Sequence, residues 1–382
     1  MTRRIDIPPD LIVRAIERAG YVVEEFVASY KPAAKWLIGD RQPTVRQLQD
    51  FSKKVRVPFG YLLLKKLPED HLPIPFFRTA TNSTTRNVHP AVHDMVRLLL
   101  ERQDWLANYL RENGEAPLPF AGRFQLGKVS DDKLAEDIRA TLGLSLGWAK
   151  SYPNYSQALR GLVSAVEAAG IYVTFNGVVG QNNHRPIPVD VCRGFVLVDK
   201  YAPFVFVNNS DYKGAQLFTL MHELVHIWLG ESAGFDLRGI LPADDPLEQC
   251  CNRVAAELLV PASVLLEEWT LTTDFHALAK QFKVSPVVVA RRALDLNLIN
   301  KESYFEFYRT YIAKIELLKK QKSQSDDKVS GNYYNTMGVR LSPRFLSWID
   351  TAVHQGKLTY LNAYRLTGLK GNTYAEMMKR KR

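Results

Sequence analysis

Two histidines and a glutamate stand out as residues that could do chemistry together, namely His222, Glu223 and His226 in the pattern H-E-x-x-H. In an α-helix, residues four apart lie on one face, about one turn from each other, so both imidazoles can reach a single ion. Zinc peptidases use this arrangement, with the glutamate facing a water in the open coordination position. The spacing therefore predicts a zinc site of the peptidase type.

The helix that carries this motif is predicted to begin near Asp211, as its N-cap, and to end at Leu229 before Gly230. Apolar residues occupy nearly all the other positions around the motif, and a helix that is apolar all round is buried. Unpaired polar groups inside a protein cost roughly 1–3 kcal/mol each, which a zinc ion would offset. The alternative is that the histidines bond backbone carbonyls and Glu223 forms a salt bridge.

A catalytic zinc site needs a third protein ligand, and the next predicted helix offers one. This helix is expected to start at Asp245, and it places Glu248 and Asn252 four residues apart on one face. We predict that Glu248 binds the zinc and that Asn252 bonds a ligand histidine from the second shell. Two alternatives stay open. Glu248 could instead complete a capping box with Asp245, and Glu257 is a rival ligand two turns further on.

Cysteine content and the absence of long apolar runs indicate the compartment. The three cysteines include the adjacent pair Cys250 and Cys251, and they suggest neither a disulfide framework nor a Cys-x-x-Cys site. Cys251 lies one turn from Glu248, and we expect it to be a small buried apolar residue rather than a fourth ligand. We find no apolar leader and no run of 18 apolar residues, so a cytoplasmic protein without membrane contact is expected.

Charge is distributed unevenly along the 382 residues, whose total is +10. Residues 1–80 carry +5 and residues 311–382 carry +9, whereas the middle of the chain carries −4. Basic ends of this kind favour contact with a polyanion such as DNA, although basic surfaces are also often only solvated.

The first 66 residues predict a compact unit of short helices, which begins with the apolar stripe Leu11, Ile12, Ala15 and Ile16. Short helices in this order, with a tight turn between the second and third, are typical of a helix-turn-helix domain, although a small helical bundle without DNA contact has the same pattern. The predicted DNA-binding residues are Lys31, Lys35, Arg41, Gln42, Thr44 and Arg46.

The whole chain predicts an α+β fold that is predominantly helical, with a helix-turn-helix bundle and a zincin-like peptidase domain that contains a small sheet. The predicted domains are a helix-turn-helix domain (1–66), a connector with one long helix from Pro90 to about Asn113 (67–129), a peptidase domain (130–310), a polar linker (311–337) and a basic helical C-terminal segment (338–382). Strands are expected at 171–175, 194–198 and 204–207.

The motifs carry a family resemblance. The run from Phe218 to His226, followed by Glu248-x3-Asn252-x2-Ala255-Ala256-Glu257-Leu258-Leu259-Val260-Pro261, resembles the ImmA/IrrE zinc metallopeptidases. Residues 193–195 and 208–211 are similar to that family as well. Trp36, Gly39, Pro43-Thr44, Leu48 and Val57-Pro58-Phe59-Gly60 resemble a Xre-type helix-turn-helix, and residues 72–79 resemble the connector of the fused subgroup. The likeness covers about residues 9–300.

The resemblance implies a Zn²⁺-dependent endopeptidase in which Glu223 accepts the proton of an activated water. Its substrate would be a Xre-type repressor or antitoxin encoded nearby, cleaved in a stress or prophage response. Helices at 275–299 would close the peptidase domain rather than contact DNA. The chain departs from the family at Cys250-Cys251, where small or charged residues are usual, and at Val254, where an aromatic is frequent.

A second class of function stays open, namely a DNA-binding transcriptional regulator or antitoxin whose peptidase-like domain binds or senses without cleaving. The oligomeric state also stays open, with a homodimer as one option.

Overall fold

A computed structural model describes residues 4–19, 21–55, 57–66, 76–78, 89–236, 245–322 and 338–380. The chain divides into two compact units. The first comprises residues 1–73 and 86–96, and the second comprises residues 74–85 and 97–382.

The first unit is helical, as predicted, and its short helices follow one another closely. They are α1 (Pro9–Arg18), α2 (Val23–Ser29), α3 (Lys31–Leu37), α4 (Val45–Val55) and a short 3-10 helix (Phe59–Leu63). Proline at the start of α1 and of α3 suits the first turn of a helix, where no backbone partner is available for its nitrogen. The predicted stripe of α1 is buried, and it packs with Trp36, Phe51 and their neighbours into one core.

The long helix α5 (Pro90–Glu112) confirms the helix predicted from Pro90, and its residues from Arg97 onward belong to the second unit. The helices that follow are α6 (Asp131–Leu142), a 3-10 helix (Trp148–Ser151), α7 (Tyr155–Ala168), α8 (Lys213–Leu229), α9 (Pro246–Leu259), α10 (Ala262–Trp269), α11 (Phe275–Phe282), α12 (Pro286–Asp295), α13 (Lys301–Lys322), α14 (Pro343–His354), α15 (Tyr360–Thr367) and α16 (Gly371–Lys379). The described residues contain no helix that is both long and apolar enough to cross a membrane.

Five short strands form a mixed sheet in the second unit. They are β1 (Phe76–Arg78), β2 (Tyr172–Phe175), β5 (Gly194–Leu197), β6 (Phe204–Val207) and β7 (Ala233–Asp236), and a separate hairpin joins β3 (Val178–Val179) to β4 (Asn182–Pro186). The order in the sheet is β1-β7-β5-β6-β2, with parallel pairing at the two ends and antiparallel pairing on both sides of β5. The fold is therefore α+β and predominantly helical, as predicted.

The sheet is covered on both faces, which explains why its central strands are apolar at every position. Val205 and Val207 belong to the main core with the apolar residues of α8 and α9. Phe204 points to the opposite face, where its ring contacts Phe345 of α14 at a centroid distance of 5.7 Å. This arrangement packs α8 between the sheet and α9, and it places α14 against the opposite face of the sheet.

The C-terminal part differs from the sequence prediction in one respect. Helix α13 continues to Lys322, so the first 12 residues of the segment predicted as a linker are helical. Tyr308, Tyr311, Ile312 and Ile315 are partly buried at helical spacing, which explains why the helix continues. The rest of the predicted linker, residues 323–337, lies outside the described residues. Helices α14 to α16 confirm that the segment after it is helical.

Candidate metal centre

Helix α8 brings the two motif histidines together inside the protein. His222 is 1% exposed and His226 is 0% exposed, and their Nε2 atoms lie 3.2 Å apart. The helix ends at Gly230, whose φ of 78° favours glycine, as the sequence indicated. Its N-cap is Tyr212 rather than the predicted Asp211, because the Asp211 carboxylate caps no helix nitrogen and lies 3.6 Å from Arg193.

Helix α9 places Glu248 directly opposite the two imidazoles. Its Oε2 lies 3.1 Å from Nε2 of His222, and its Oε1 lies 3.4 Å from Nε2 of His226. Asp245 caps the helix through the backbone nitrogens of Leu247 and Glu248, as predicted. Both oxygens of Glu248 face the imidazoles, and among the described residues neither accepts a bond from the Asp245 backbone nitrogen, so the reciprocal bond of a capping box is not formed.

The distances within this group fit a tetrahedral metal ion. Zinc–nitrogen and zinc–oxygen bonds of about 2.0–2.1 Å place neighbouring ligand atoms about 3.3 Å apart. The three separations here are 3.1, 3.2 and 3.4 Å. Because the two oxygens of Glu248 are buried and face two imidazole nitrogens, the residues present suit a bound cation.

Glu223 lies beside this group and is fully buried. Both of its carboxylate oxygens lack a hydrogen-bond partner among the described residues. Burial, followed by the negative charge of Glu248, raises the pKa of Glu223 well above its usual range. Gly194 of β5 makes room for Thr219 and Glu223, because a Cβ at that position would lie 2.4 Å from Cγ2 of Thr219 and 3.0 Å from Oε1 of Glu223.

Asn252 lies behind His222, in the position required by the role predicted for it. Its Oδ1 is 3.1 Å from Nδ1 of His222. A proton on Nδ1 that is donated to this oxygen leaves the lone pair of Nε2 directed toward the group of ligand atoms.

The rival ligand, Glu257, is engaged elsewhere. Its carboxylate pairs with Arg292, accepts a hydrogen bond from the backbone nitrogen of Ala262 at 3.1 Å and lies 3.7 Å from Arg139. Nine residues of helix separate it from Glu248, a rise of about 13 Å. The structure therefore brings Glu248, and not Glu257, to the histidines.

Cys251 lies close to the same two histidines, although the sequence suggested only a packing role. Its sulfur and the ligand nitrogens of His222 and His226 all lie within 4.8 Å of one another, and the residue is fully buried. Burial is the main cause that raises the pKa of the thiol well above its usual range. The sequence signal for this placement is that Cys251 follows Glu248 by three residues, because that spacing puts both side chains on one face of a helix.

The six predicted DNA-binding residues fall into two groups in the first unit. The amide of Gln42 bonds Asp6 at 2.8 Å and the backbone nitrogen of Ile7 at 3.2 Å. Thr44 caps α4 in a capping box with Gln47, at 3.2 and 3.0 Å. The side chains of Gln42 and Thr44 therefore form hydrogen bonds that stabilise the first unit. The remaining four are exposed cations, namely Lys31, Lys35, Arg41 and Arg46.

The second unit is a helix-rich α+β domain. Its motif helix, α8, and the neighbouring helix, α9, bring imidazole, carboxylate and thiol groups close together. Residues 166–294 match the family model Peptidase_M78, described as the IrrE N-terminal-like domain. The match covers the metal centre, and it supports both the ImmA/IrrE resemblance and a peptidase-family role for this segment. Residues 341–380, which contain α14 to α16, match a domain of unknown function, DUF8813. No curated protein matches the chain.

Proposed function

We propose that this protein is a zinc-dependent endopeptidase of a regulatory system, with His222, His226 and Glu248 as the metal ligands. The observation that supports this most directly is the convergence of the two imidazoles and the Glu248 carboxylate at 3.1–3.4 Å, beside the buried carboxylate of Glu223. The match of residues 166–294 to a peptidase family model points to the same chemistry.

Each side chain has a defined part in this proposal. Zinc, when bound, would act as a Lewis acid on a water and on the scissile carbonyl. Glu223 accepts the proton of that water on its carboxylate and returns it to the leaving amine nitrogen. Asn252 orients His222 through Nδ1, at a distance of 3.1 Å. The burial of these groups strengthens their electrostatic interactions, because little water screens them.

The substrate that we propose is a Xre-type repressor or antitoxin encoded near the gene of this protein. It should be cleaved by the zinc-loaded wild type, and Glu223→Gln should lower the rate by at least about 100-fold, since proton transfer by a positioned side chain contributes 10²–10⁴-fold. The substitution is nearly isosteric, so the variant should keep its zinc. Cleavage is measured by electrophoresis and mass spectrometry of the products.

Glu267→Gln is the matched control, because it neutralises an exposed carboxylate on α10 and should leave the rate unchanged. Equal cleavage by the wild type and Glu223→Gln would exclude the proposed role of Glu223. Absence of cleavage by the zinc-loaded wild type would favour the second function.

The second candidate function is that of a DNA-binding regulator or antitoxin whose peptidase-like domain binds or senses without cleaving. One observation favours it, namely that His222, Glu223, His226 and Glu248 are each at most 1% exposed, whereas a scissile carbonyl must reach the metal. The two functions are compatible if DNA binding places the protease beside its substrate.

DNA binding would be carried by the four exposed cations of the first unit. We expect Lys35→Ala with Arg41→Ala to weaken binding to the DNA upstream of the protein's own gene and to reduce the slope of log K against log salt by about 2, since each lost phosphate contact removes about 0.9. The measurement is fluorescence anisotropy over a series of salt concentrations.

Lys53→Ala with Lys65→Ala is the matched control, because it removes the same charge from exposed positions outside the predicted contact set. An identical salt slope for both double variants would count against a specific DNA surface at α3 and the turn that follows it.

A further inference from the structure

Cys251 belongs to the main core and also lies close to the two histidines of the motif. Helix α9 directs Glu248 at both histidines, and Cys251 follows it by three residues on the same face. The Cys251 sulfur, one ring nitrogen of His222 and one ring nitrogen of His226 lie within 4.8 Å of one another. A tetrahedral zinc with bonds of about 2.3 Å to sulfur and about 2.0 Å to nitrogen would place these atoms about 3.5 Å apart. From 4.8 Å, a movement of about 1.3 Å or less would therefore bring the sulfur to coordination distance.

The surroundings of Cys251 also indicate a bound cation. Both oxygens of Glu223 and Nδ1 of His226 are buried without a hydrogen-bond partner among the described residues, and both oxygens of Glu248 are buried against the imidazoles. A divalent ion, two neutral imidazoles and the Glu248 carboxylate together carry one positive charge, apart from any charge on Glu223, in a site that is at most 1% exposed. A thiolate ligand would cancel that charge, and buried charge is costly unless it is compensated.

The neighbouring cysteine points elsewhere. The Cys250 sulfur lies 3.5 Å from Oδ1 of Asp131, on the side of α9 that faces α6. The two cysteines thus form a matched pair, adjacent in sequence and both buried, of which one faces the metal ligands.

We propose that the Cys251 thiolate is the fourth protein ligand of the metal held by His222, His226 and Glu248. The resting site is then closed, because four protein ligands leave no position for a water, which is the pattern of structural rather than catalytic zinc. Zinc binding displaces the thiol proton to solvent as the sulfur–metal bond forms. Peptidase activity requires the sulfur to leave and water to take its place, so the proposal assigns a regulatory role to this thiolate and rests on the proposed function.

The first test is X-ray absorption spectroscopy of the full-length zinc-loaded wild type. The expected result is one sulfur at about 2.3 Å together with nitrogen and oxygen ligands at about 2.0–2.2 Å. A first shell without sulfur would overturn the proposal, and no variant is needed to reach that outcome.

The second test uses cobalt in place of zinc and reads absorption rather than activity. We expect cobalt-loaded wild type and Cys250→Ser to show a sulfur-to-cobalt charge-transfer band, and Cys251→Ser and Cys251→Ala to lack it while they keep the weaker bands of bound cobalt. Loss of the band in Cys250→Ser, or its survival in the Cys251 variants, would contradict the assignment.

The same proteins distinguish this inference from the proposed function. A metal bound without sulfur, in a protein that cleaves its substrate, would refute the thiolate ligand and leave the peptidase intact. A sulfur ligand in a protein that never cleaves, even as Cys251→Ala, would support the closed site and refute the peptidase.

Discussion

Glu248→Ala is expected to lower the affinity of the protein for zinc by more than about 100-fold, or about 2.7 kcal/mol, since even the loss of a residue that only hydrogen-bonds a metal ligand costs about 10–100-fold. The physical reason is that Glu248 supplies a buried carboxylate, 3.1 and 3.4 Å from the Nε2 atoms of His222 and His226. Its removal would leave the ion with fewer bonds and less negative charge around it. The measurement is competition for zinc against a chromophoric chelator.

Glu257→Ala is the control for this prediction, because it removes a carboxylate from the same helix. We expect its zinc affinity to stay within a few-fold of wild type, since this carboxylate pairs with Arg292 and Arg139. The loss of that buried pairing should instead lower the free energy of unfolding. A fall in zinc affinity for Glu257→Ala, with none for Glu248→Ala, would reverse the assignment of the third ligand.

Trp228→Ala is expected to destabilise the second unit by about 3–5 kcal/mol, which is the usual cost of removing a large aromatic side chain from a core. Trp228 is fully buried two residues after His226, and its ring stacks on Phe120 with the centroids 4.3 Å apart. Its Nε1 donates a hydrogen bond of 2.8 Å to Asp137. The measurement is urea-dependent hydrogen exchange of α8 in the zinc-free protein, which excludes the contribution of metal binding.

Trp228→Phe separates packing from hydrogen bonding at this position. It keeps an aromatic ring against Phe120 and loses the bond to Asp137, whose carboxylate still pairs with Arg123 at 2.8 Å. We expect a cost of about 1–2 kcal/mol, made up of one hydrogen bond and a small volume change. A cost for Trp228→Ala no larger than that for Trp228→Phe would show that the stacked ring contributes little.

Local signals in the sequence predicted most of the helices, for reasons that the structure makes clear. The Asp245 cap, the proline after it and Gly230 at the end of α8 act within one or two turns, so they can be recognised without the fold. Three strands of the main sheet were predicted from an alternating pattern at 171–175, 194–198 and 204–207, although the structure buries β2, β5 and β6 at every position.

The elements that were missed depend on partners far away in the chain. β1 and β7 pair with each other across more than 150 residues, between Phe76 and Gly234, and neither has an alternating pattern. The hairpin of β3 and β4 is polar and largely exposed along β4, so no apolar period marks it. Helix α13 extends into the predicted linker because partly buried residues recur at helical spacing there. This spacing can be recognised only when the structure shows which side of the helix is partly buried.

The sequence by itself determined that His222, Glu223 and His226 lie on one buried helix, since helical periodicity places residues four apart on one face whatever surrounds them. Which side of α9 faces that helix was decided only by the tertiary structure. The rotation of α9 about its axis depends on its packing against α6 and α8, and no local spacing encodes it. That rotation brings Glu248 and Cys251 to the histidines and leaves Glu257 and Cys250 with partners elsewhere.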